Sequence, residues 1–561
     1  MRHVRDFGID VGLACAAFLA ALYTAGVLTF ERTLSLTGSA QSTFPGNFPR
    51  SLGPDDLAFF VICLAVALAA FAFLGRVIPV AARQPRAATG GVDAFLAGNR
   101  KRILCFFCVI FLTWLLVFLN YYPGTSMNDQ MWIILSPIGL SSQHPFAYCA
   151  LLSGSVRASN ALFGTGNPGF AFFVLVRMAL CAGIASIVTS WLAWRGLGKG
   201  SIAIAAFFAA TPVVQNYAIS SVKDTLFSFV LLLWIPLLVE TLGNPRIFES
   251  RSARGILAAL CFATCLTRNN GLALIAILAI VLLVATREAS ARKETAICIA
   301  VSSALAISPA LFAAKVLGAP TKVQEALGVP LQQVSAVAVS DEASLDAAQR
   351  EDLSRFLDMS LVSKAYWPIL ADGIKGSSKV AALNKEYLNG HKREFLLTWA
   401  SIGLSNPDIY LRAWLAETHG CWDITAPPRK SQSYFFSIDS NSTDSESENR
   451  AMSTYSLKTQ TLYPEGISTW FHDVYQPLVV SPGNGALFFV VVIFALLICH
   501  RSGTARALLV VTPLLALWIS LMASTPLSDA LRYGFGFLIS IPVLVGLVAL
   551  PPIVPHARDD A

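Results

Sequence analysis

The sequence predicts an all-α polytopic membrane protein. Of its 561 residues, 55% are hydrophobic and only 13% are charged, and the mean hydropathy is +0.61. A soluble domain carries about 25% charged residues. Apolar runs of about 20 residues, the length that crosses a bilayer, recur along the chain. Together these observations exclude an ordinary soluble enzyme, a disordered chain and a fibrous repeat.

The apolar runs predict about twelve membrane-spanning helices. The predicted spans are 8–29, 57–80, 103–120, 170–194, 200–218, 223–242, 254–268, 271–286, 295–316, 484–499, 506–522 and 533–551. Most of the eleven cysteines lie inside these runs, where they are expected to act as small buried hydrophobes and not as metal ligands or disulfides.

The distribution of basic residues predicts the orientation of the spans. When the basic clusters are placed in the cytoplasm, the twelve spans alternate without violating the positive-inside rule, and both termini are cytoplasmic. The stretch 145–163 contains Arg157 and several small polar residues. Counting it as a span would invert everything after it, so we interpret it as a helix lying on the outer leaflet.

The predicted spans divide the chain into four parts. Residues 1–102 form two spans and a basic cytoplasmic loop, and residues 103–316 form a transmembrane core that carries the outer loop 121–169. Residues 317–483 are polar and rich in Trp and Tyr, and their helical apolar spacing predicts a mainly helical extracytoplasmic domain. Residues 484–561 form the last three spans.

Charged and polar residues gather at the predicted outer ends of the spans, where they are costly and therefore candidates for function. They are Asp129, His144, Lys223, Asp224, Arg268, Asn270, Asp529 and Arg532. All of them except Lys223 have a local structural alternative. The acids can cap helices, the segment 268–271 can be a polar turn, and Asp529 can form a surface ion pair with Arg532.

Seven motifs occur in a fixed order, and five of them contain these residues. They are PGTSMNDQ, QHPF, VKDTLFS, RNNG, GVPLQQVSAVA (328–338), WLAETHGCW (414–422) and DALRYGF. Their layout resembles that of GT-C glycosyltransferases and, more closely, that of an uncharacterised bacterial family of polytopic membrane proteins. The resemblance covers roughly residues 103–551. Oligosaccharyltransferases carry a pair of acids where this sequence has Asp224, and the second acid of the pair is absent here. No metal cofactor is therefore predicted.

The resemblance implies an enzyme of the plasma membrane that moves a sugar from a polyprenyl-phosphate donor to an extracytoplasmic glycan, lipid or protein. Nucleic acid is not an expected partner. Asp129 is expected to orient or deprotonate the acceptor. Substrate and phosphate binding is expected from His144, Lys223, Asp224, Arg268, Asn270 and Arg532. Acceptor binding is expected from Gln130, Glu417 and Trp422. We further expect Lys223 and Arg268 to converge near Asp129 on one outward cavity.

Three other functions are compatible with the sequence. A transporter or flippase of lipid-linked saccharides should carry ionisable groups at mid-membrane depth, and Arg177 is the main such residue in the predicted spans. A ligase or polymerase would join whole saccharides by similar chemistry. A non-catalytic scaffold is the third alternative.

Overall fold

The structure is a computed structural model of the chain. It describes residues 58, 61–62, 64–65 and 91–551, except for 137–143, 245, 287–288, 319–321, 341–342, 377–379, 381, 425, 429–435, 438–445 and 525–526. The predicted spans 8–29 and 57–80 therefore lie outside the described residues, apart from the five positions named.

The described chain is almost wholly helical, which confirms the all-α class. The first helices are α1 (Gly91–Asn120), α2 (Asn128–Leu135), α3 (Phe146–Phe163), α4 (Asn167–Leu192), α5 (Gly200–Ala210), α6 (Pro212–Ala218), α7 (Lys223–Gly243), α8 (Arg251–Thr267), α9 (Gly271–Ala285) and α10 (Ala289–Lys315). The next are α11 (Gly328–Val339), α12 (Ala347–Phe356), α13 (Val362–Ala365), α14 (Lys385–Gly390), α15 (Lys392–Ser405), α16 (Pro407–Trp422), α17 (Glu446–Thr454) and α18 (Glu465–Trp470). The last are α19 (Asn484–Ser502), α20 (Thr512–Ser524) and α21 (Leu531–Ala549).

Seven helices of the described part are long and apolar enough to cross a membrane, which supports the assignment as a helical membrane protein. They are Asp93–Asn120, Asn167–Leu197, Lys223–Gly243, Ala289–Lys315, Asn484–Ser502, Ala505–Ser524 and Leu531–Ala549. Helices α5 and α6 meet at 60° and together would make one broken span. The predicted spans 254–268 and 271–286 coincide with α8 and α9, which are shorter, at 17 and 15 residues.

Two hydrophobic cores organise the described residues. The larger one joins the apolar helices and contains fully buried aromatic rings such as Trp114 and Trp234. The smaller one lies within the predicted outer domain and extends from Leu331 to Ala413. Helix α16 belongs to both, because its first half packs in the smaller core and its last residues, including Trp422, pack in the larger one. The outer segment is thereby fixed to the membrane helices.

Backbone hydrogen bonds bring the starts of α2 and α7 together. The amide of Thr125 donates to the carbonyl of Ile219 (3.2 Å), and the amide of Ser221 donates to the carbonyl of Thr125 (2.8 Å). The preceding Gly124 has a φ of +120°, and a Cβ there would lie 2.9 Å from the Ile219 oxygen. Only glycine suits this position. A two-residue antiparallel ladder between Thr125–Ser126 and Phe436–Ser437 adds the only named strands in the described part.

Arg177 fixes the loop between α6 and α7 from within α4. Its guanidinium donates to the carbonyls of Val222 (2.5 Å), Tyr217 (3.2 Å) and Ala218 (3.1 Å). The side chain is buried, with 3% of its surface exposed. The carbonyls of Tyr217 and Val222 also accept the amides of Ser220 (3.3 Å) and Thr225 (3.4 Å), so Arg177 adds a charged donor to carbonyls at the end of α6 and directly before α7. Arg177, the main ionisable residue at mid-membrane depth in the predicted spans, is therefore bonded to backbone.

A close contact also links α16 to the start of α21. The amide of Gly420 donates to Ser528 Oγ (3.1 Å), and a Cβ on Gly420 would lie only 2.4 Å from the amide nitrogen of Asp529. The helix carrying Glu417 therefore approaches the segment that leads into Arg532.

We expect replacement of Arg177 by Met to lower the free energy of unfolding by about 3 kcal/mol or more, because three buried carbonyls lose charge-assisted donors at once. Thermal unfolding of the purified protein measures this loss. Arg350→Met, at an exposed position of α12, is the matched control and should unfold like wild type. Unchanged stability of Arg177→Met would contradict the role given to Arg177.

Candidate functional site

An ion pair between Asp129 and Arg532 lies at the centre of the site. Arg532 Nη1 donates to Asp129 Oδ2 at 3.0 Å, across 403 positions of sequence. Arg532 Nη2 donates to the hydroxyl of Tyr533 at 2.5 Å. The Asp129 side chain is 33% exposed and that of Arg532 only 9%. The observed partner of Arg532 is thus Asp129, which corrects the sequence-based alternative of a surface pair with Asp529.

Lys223 and His144 form the second contact of the site. Lys223 Nζ lies 2.7 Å from His144 Nδ1. Burial, and then the charge of Lys223, lower the pKa of His144 to about 3, so the ring is neutral at pH 7. A neutral ring accepts at Nδ1 and carries its hydrogen on Nε2, which remains as a donor.

Asp224 and Arg268 form the third contact, a loose one. Arg268 Nε lies 3.9 Å from Asp224 Oδ1, beyond hydrogen-bond distance. Asp224 Oδ1 and Arg268 Nη1 are both buried without a hydrogen-bond partner among the described residues. The Arg268 guanidinium lies 5.1 Å from the ring centre of Phe227 and 5.5 Å from that of Tyr533, within cation–π range. Arg268 is therefore held by two rings and keeps an unused donor.

The charges of the cluster favour an anion. Burial would raise the pKa of Asp129, but the neighbouring charges, Arg532 foremost and Lys223 among them, outweigh burial and hold this pKa well below its usual range. Asp129 and Asp224 therefore face three cations, Lys223, Arg268 and Arg532, which leaves one positive charge in excess. Helices α2, α7 and α21 all begin here and add the partial positive charge of their N-termini.

Helix α3 holds the two halves of this cluster together. The hydroxyl of Tyr148 donates to the carbonyl of Ser221, directly before α7, at 2.7 Å. Arg157 Nη2 donates to the carbonyls of Ile134 (3.0 Å) and Ser136 (2.6 Å), at the C-terminal end of α2. One helix thus positions both the segment carrying Asp129 and the segment carrying Lys223.

A second charged cluster lies in the outer segment. Glu417 is fully buried and Lys375 is 2% exposed. Lys375 Nζ lies 3.5 Å from Glu325 Oε2 and 3.9 Å from Asp372 Oδ1. Burial raises the pKa of Glu417 to about 8, although Lys375 acts in the opposite direction. Glu417 is therefore largely protonated at pH 7.

The outer segment and the Asp129–Arg532 pair interact electrostatically. Burial raises the pKa of Asp372, and the charges of Asp129 and Arg532 both act on it as well. Lys322, in the same outer segment, contributes to the lowered pKa of His144. The outer segment therefore borders the central cluster.

Three predicted site residues have structural contacts instead. Gln130 is 1% exposed, and its Oε1 accepts the backbone amide of Met127 at 3.1 Å, which caps α2. Asn270 is exposed and donates to Ser524 Oγ at 3.4 Å. Trp422 is buried in the larger core. No interaction of these side chains with the Asp129–Arg532 pair appears in the described part of the chain.

Sequence reasoning missed several members of the site. Tyr533 directly follows Arg532, so an aromatic ring next to a candidate arginine was an available signal. No sequence signal pointed to Lys375, because the loop that contains it lacks a periodic pattern. Among the described residues, no group of three or more His, Cys, Asp or Glu side chains could hold a metal ion.

A protein-family model described as "Family of unknown function (DUF6020)" matches residues 132–550, well over half of the chain. No curated protein and no solved structure matches.

The pKa of Glu417 predicts a specific pH dependence of stability. Because the folded-state pKa of about 8 lies above the ordinary value of 4.5, Glu417 contributes most stability below pH 4.5 and loses it as the pH rises towards 8. The stability of wild type relative to Glu417→Gln should therefore fall across this range, by at most about 1.4 kcal/mol per pH unit. Thermal unfolding of both proteins from pH 4.5 to 8 tests this, and a constant or rising difference would contradict it.

Proposed function

We propose a function for this chain, which belongs to the DUF6020 family, from the charged cluster around Asp129. It is a membrane glycosyltransferase that moves a sugar from a polyprenyl-phosphate donor to an extracytoplasmic acceptor, which is a cell-envelope glycan, lipid or protein. One observation carries the proposal. The partly exposed Asp129 carboxylate is held ionised among three cations where several apolar helices begin or end.

Lys223 and Arg268 bind the donor phosphate in this proposal. Arg268 is supported by Phe227 and Tyr533 and keeps a buried donor without a partner, which a phosphate oxygen can satisfy. The excess positive charge and the helix N-termini act in the same direction. The apolar helices around the cluster suit the polyprenyl chain.

Asp129 orients or deprotonates the acceptor; the bound donor phosphate offsets the cations that hold the pKa of Asp129 low, which makes the carboxylate a stronger base. The acceptor oxygen forms a bond to the anomeric carbon while the bond from this carbon to the phosphate oxygen breaks. The hydroxyl proton passes to Asp129, and the electron pair of the broken bond leaves on the polyprenyl phosphate. The cations stabilise the charge that develops there. Attack opposite the leaving group inverts the anomeric configuration, and the positive side chains supply the charge that a divalent cation would otherwise provide.

A transporter of lipid-linked saccharides is the second candidate, and the 60° break between α5 and α6 favours it. The hydrogen bonds of Arg177 weigh against it, because this buried cation donates to three backbone carbonyls in one segment, Tyr217–Val222. A ligase that joins whole saccharides would use the same chemistry at Asp129.

The proposed topology has about twelve spans in the plasma membrane, cytoplasmic termini and α3 on the outer leaflet. In a cysteine-free background, a membrane-impermeant maleimide added to intact cells should label Glu386→Cys, in the outer segment, and spare Lys199→Cys, before α5. Both positions are exposed in the structure. Labelling of Lys199→Cys alone would reverse the orientation.

We expect Asp129→Asn to lower the rate of sugar transfer at least about 100-fold, because the amide cannot accept the proton of the attacking hydroxyl. The assay follows labelled sugar from a polyprenyl-phosphate-linked pool into extracted acceptors, using purified, reconstituted protein. Asp352→Asn, in α12, where the side chain is 44% exposed, should keep wild-type turnover. Thermal unfolding separates lost chemistry from lost structure. Wild-type turnover in folded Asp129→Asn would contradict the assignment.

A further inference from the structure

Two motifs that the proposed function leaves unused meet in the structure. GVPLQQVSAVA forms α11 and WLAETHGCW forms the end of α16, and these helices pack against each other. Gly328 begins α11. A Cβ on Gly328 would lie 3.3 Å from Glu417 Oε1 and 3.5 Å from Lys375 Nζ. Both polar atoms therefore face the same small space, which the missing side chain of Gly328 leaves open.

The polar atoms at this space lack hydrogen-bond partners. Glu417 is 0% exposed and Lys375 2%. Neither carboxyl oxygen of Glu417, nor Lys375 Nζ, has a hydrogen-bond partner among the described residues. A buried polar group left in this way costs about 1–3 kcal/mol. A charge and a carboxyl group retained at this cost indicate a ligand that completes their hydrogen bonds.

The cluster is reachable from outside and lies beside the central site. The side chains of Glu325 and Asp372 are 28% and 33% exposed and form its rim. Helix α16, which carries Glu417, approaches the segment leading into Arg532, because a Cβ on Gly420 would lie 2.4 Å from the amide nitrogen of Asp529.

We propose that Glu417, Lys375, Asp372 and Glu325 form a subsite that binds the hydroxyl groups of a sugar ring. This inference rests on the proposed function and names the group that the outer segment recognises. Carboxyl groups accept, and the ammonium and a protonated carboxyl group donate, which matches adjacent hydroxyls that do both.

Other ligand classes fit the subsite less well. A phosphate would meet three carboxyl groups and a single cation. A metal ion would be repelled by the ammonium of Lys375, which lies between Glu325 and Asp372. A polyprenyl chain would offer no hydrogen bond to the Glu417 carboxyl group or to Lys375 Nζ. The sugar ring belongs either to the donor or to a glycan acceptor, since both bring the same chemistry.

The test compares full-length protein in lipid nanodiscs with matched probes. Bare polyprenyl phosphate is compared with polyprenyl phosphate carrying mannose, glucose, galactose or arabinose, using native mass spectrometry. The four free sugars are tested by saturation-transfer NMR. Glu417→Leu removes the carboxyl group while keeping the volume apolar, and Gly328→Ala fills the space while keeping every charge. Glu386→Gln, at an exposed position of α14, is the control.

We expect both variants to bind the preferred glycosylated lipid at least about tenfold more weakly than wild type and to bind bare lipid equally well. This result supports a donor-sugar subsite. Weakened binding of free sugars alone supports the subsite and assigns it to the acceptor. Unchanged binding of every sugar probe in folded variants, or no sugar binding by wild type, overturns the proposal.

Arg268→Met distinguishes failure of the proposed function from failure of this inference. This variant should bind bare and glycosylated polyprenyl phosphate equally weakly, because Arg268 is proposed to bind the phosphate that both lipids share. If wild type binds free sugars but neither lipid, the polyprenyl-phosphate donor is wrong and the sugar subsite stands. If the lipids bind and depend on Arg268 while Glu417→Leu changes nothing, the donor site stands and the sugar subsite is wrong.

Discussion

The pairing of a buried guanidinium with a partly exposed carboxylate is the constraint on which the rest of the site depends. Arg532 cannot remain charged at a buried helix start without an anionic partner, and Asp129 is that partner. The pair connects α2 with α21, near the two ends of the described chain. It also keeps Asp129 ionised, so this partly exposed carboxylate is available as a hydrogen-bond acceptor. The other cations can then surround this carboxylate without neutralising it.

Contacts that do not depend on the charges hold this arrangement in place. Gly124 lets the segment before α2 approach the segment before α7, where backbone hydrogen bonds join them. Tyr148 and Arg157, both on α3, fix the same two segments from a third direction. Because these supports use backbone carbonyls, they leave donors such as Arg268 Nη1 unused. A binding site needs such preorganised but unsatisfied groups.

The sequence predicted the helices well, because a helix that crosses a bilayer needs a long apolar run, and such a run is visible within a single stretch of sequence. Every predicted span from 103 onwards coincides with a helix or with the bent pair α5–α6. The partners of the charged residues could not be predicted in the same way. Asp529 is the local choice for Arg532, yet the distant Asp129 is the observed partner. Lys375 and Glu417 come together only through the packing of α11 on α16, which no local pattern encodes. Gln130 caps α2 through its side-chain oxygen, a contact that its position two residues after the start of the helix does not reveal without the structure.

The hydrogen bonds of Arg177 also constrain how the chain enters the membrane during synthesis. Its acceptors in the segment Tyr217–Val222 are made 40 to 45 residues later. Until that segment leaves the ribosome and folds against α4, the arginine has no partner at its final depth, where an unpaired charge costs about 3 kcal/mol. Helix α4 must therefore wait near the outer surface, or shield Arg177 with water, and move to its final depth only when α5 and α6 have inserted. The hydrogen bonds of this one side chain thus determine the order in which α4, α5 and α6 assemble.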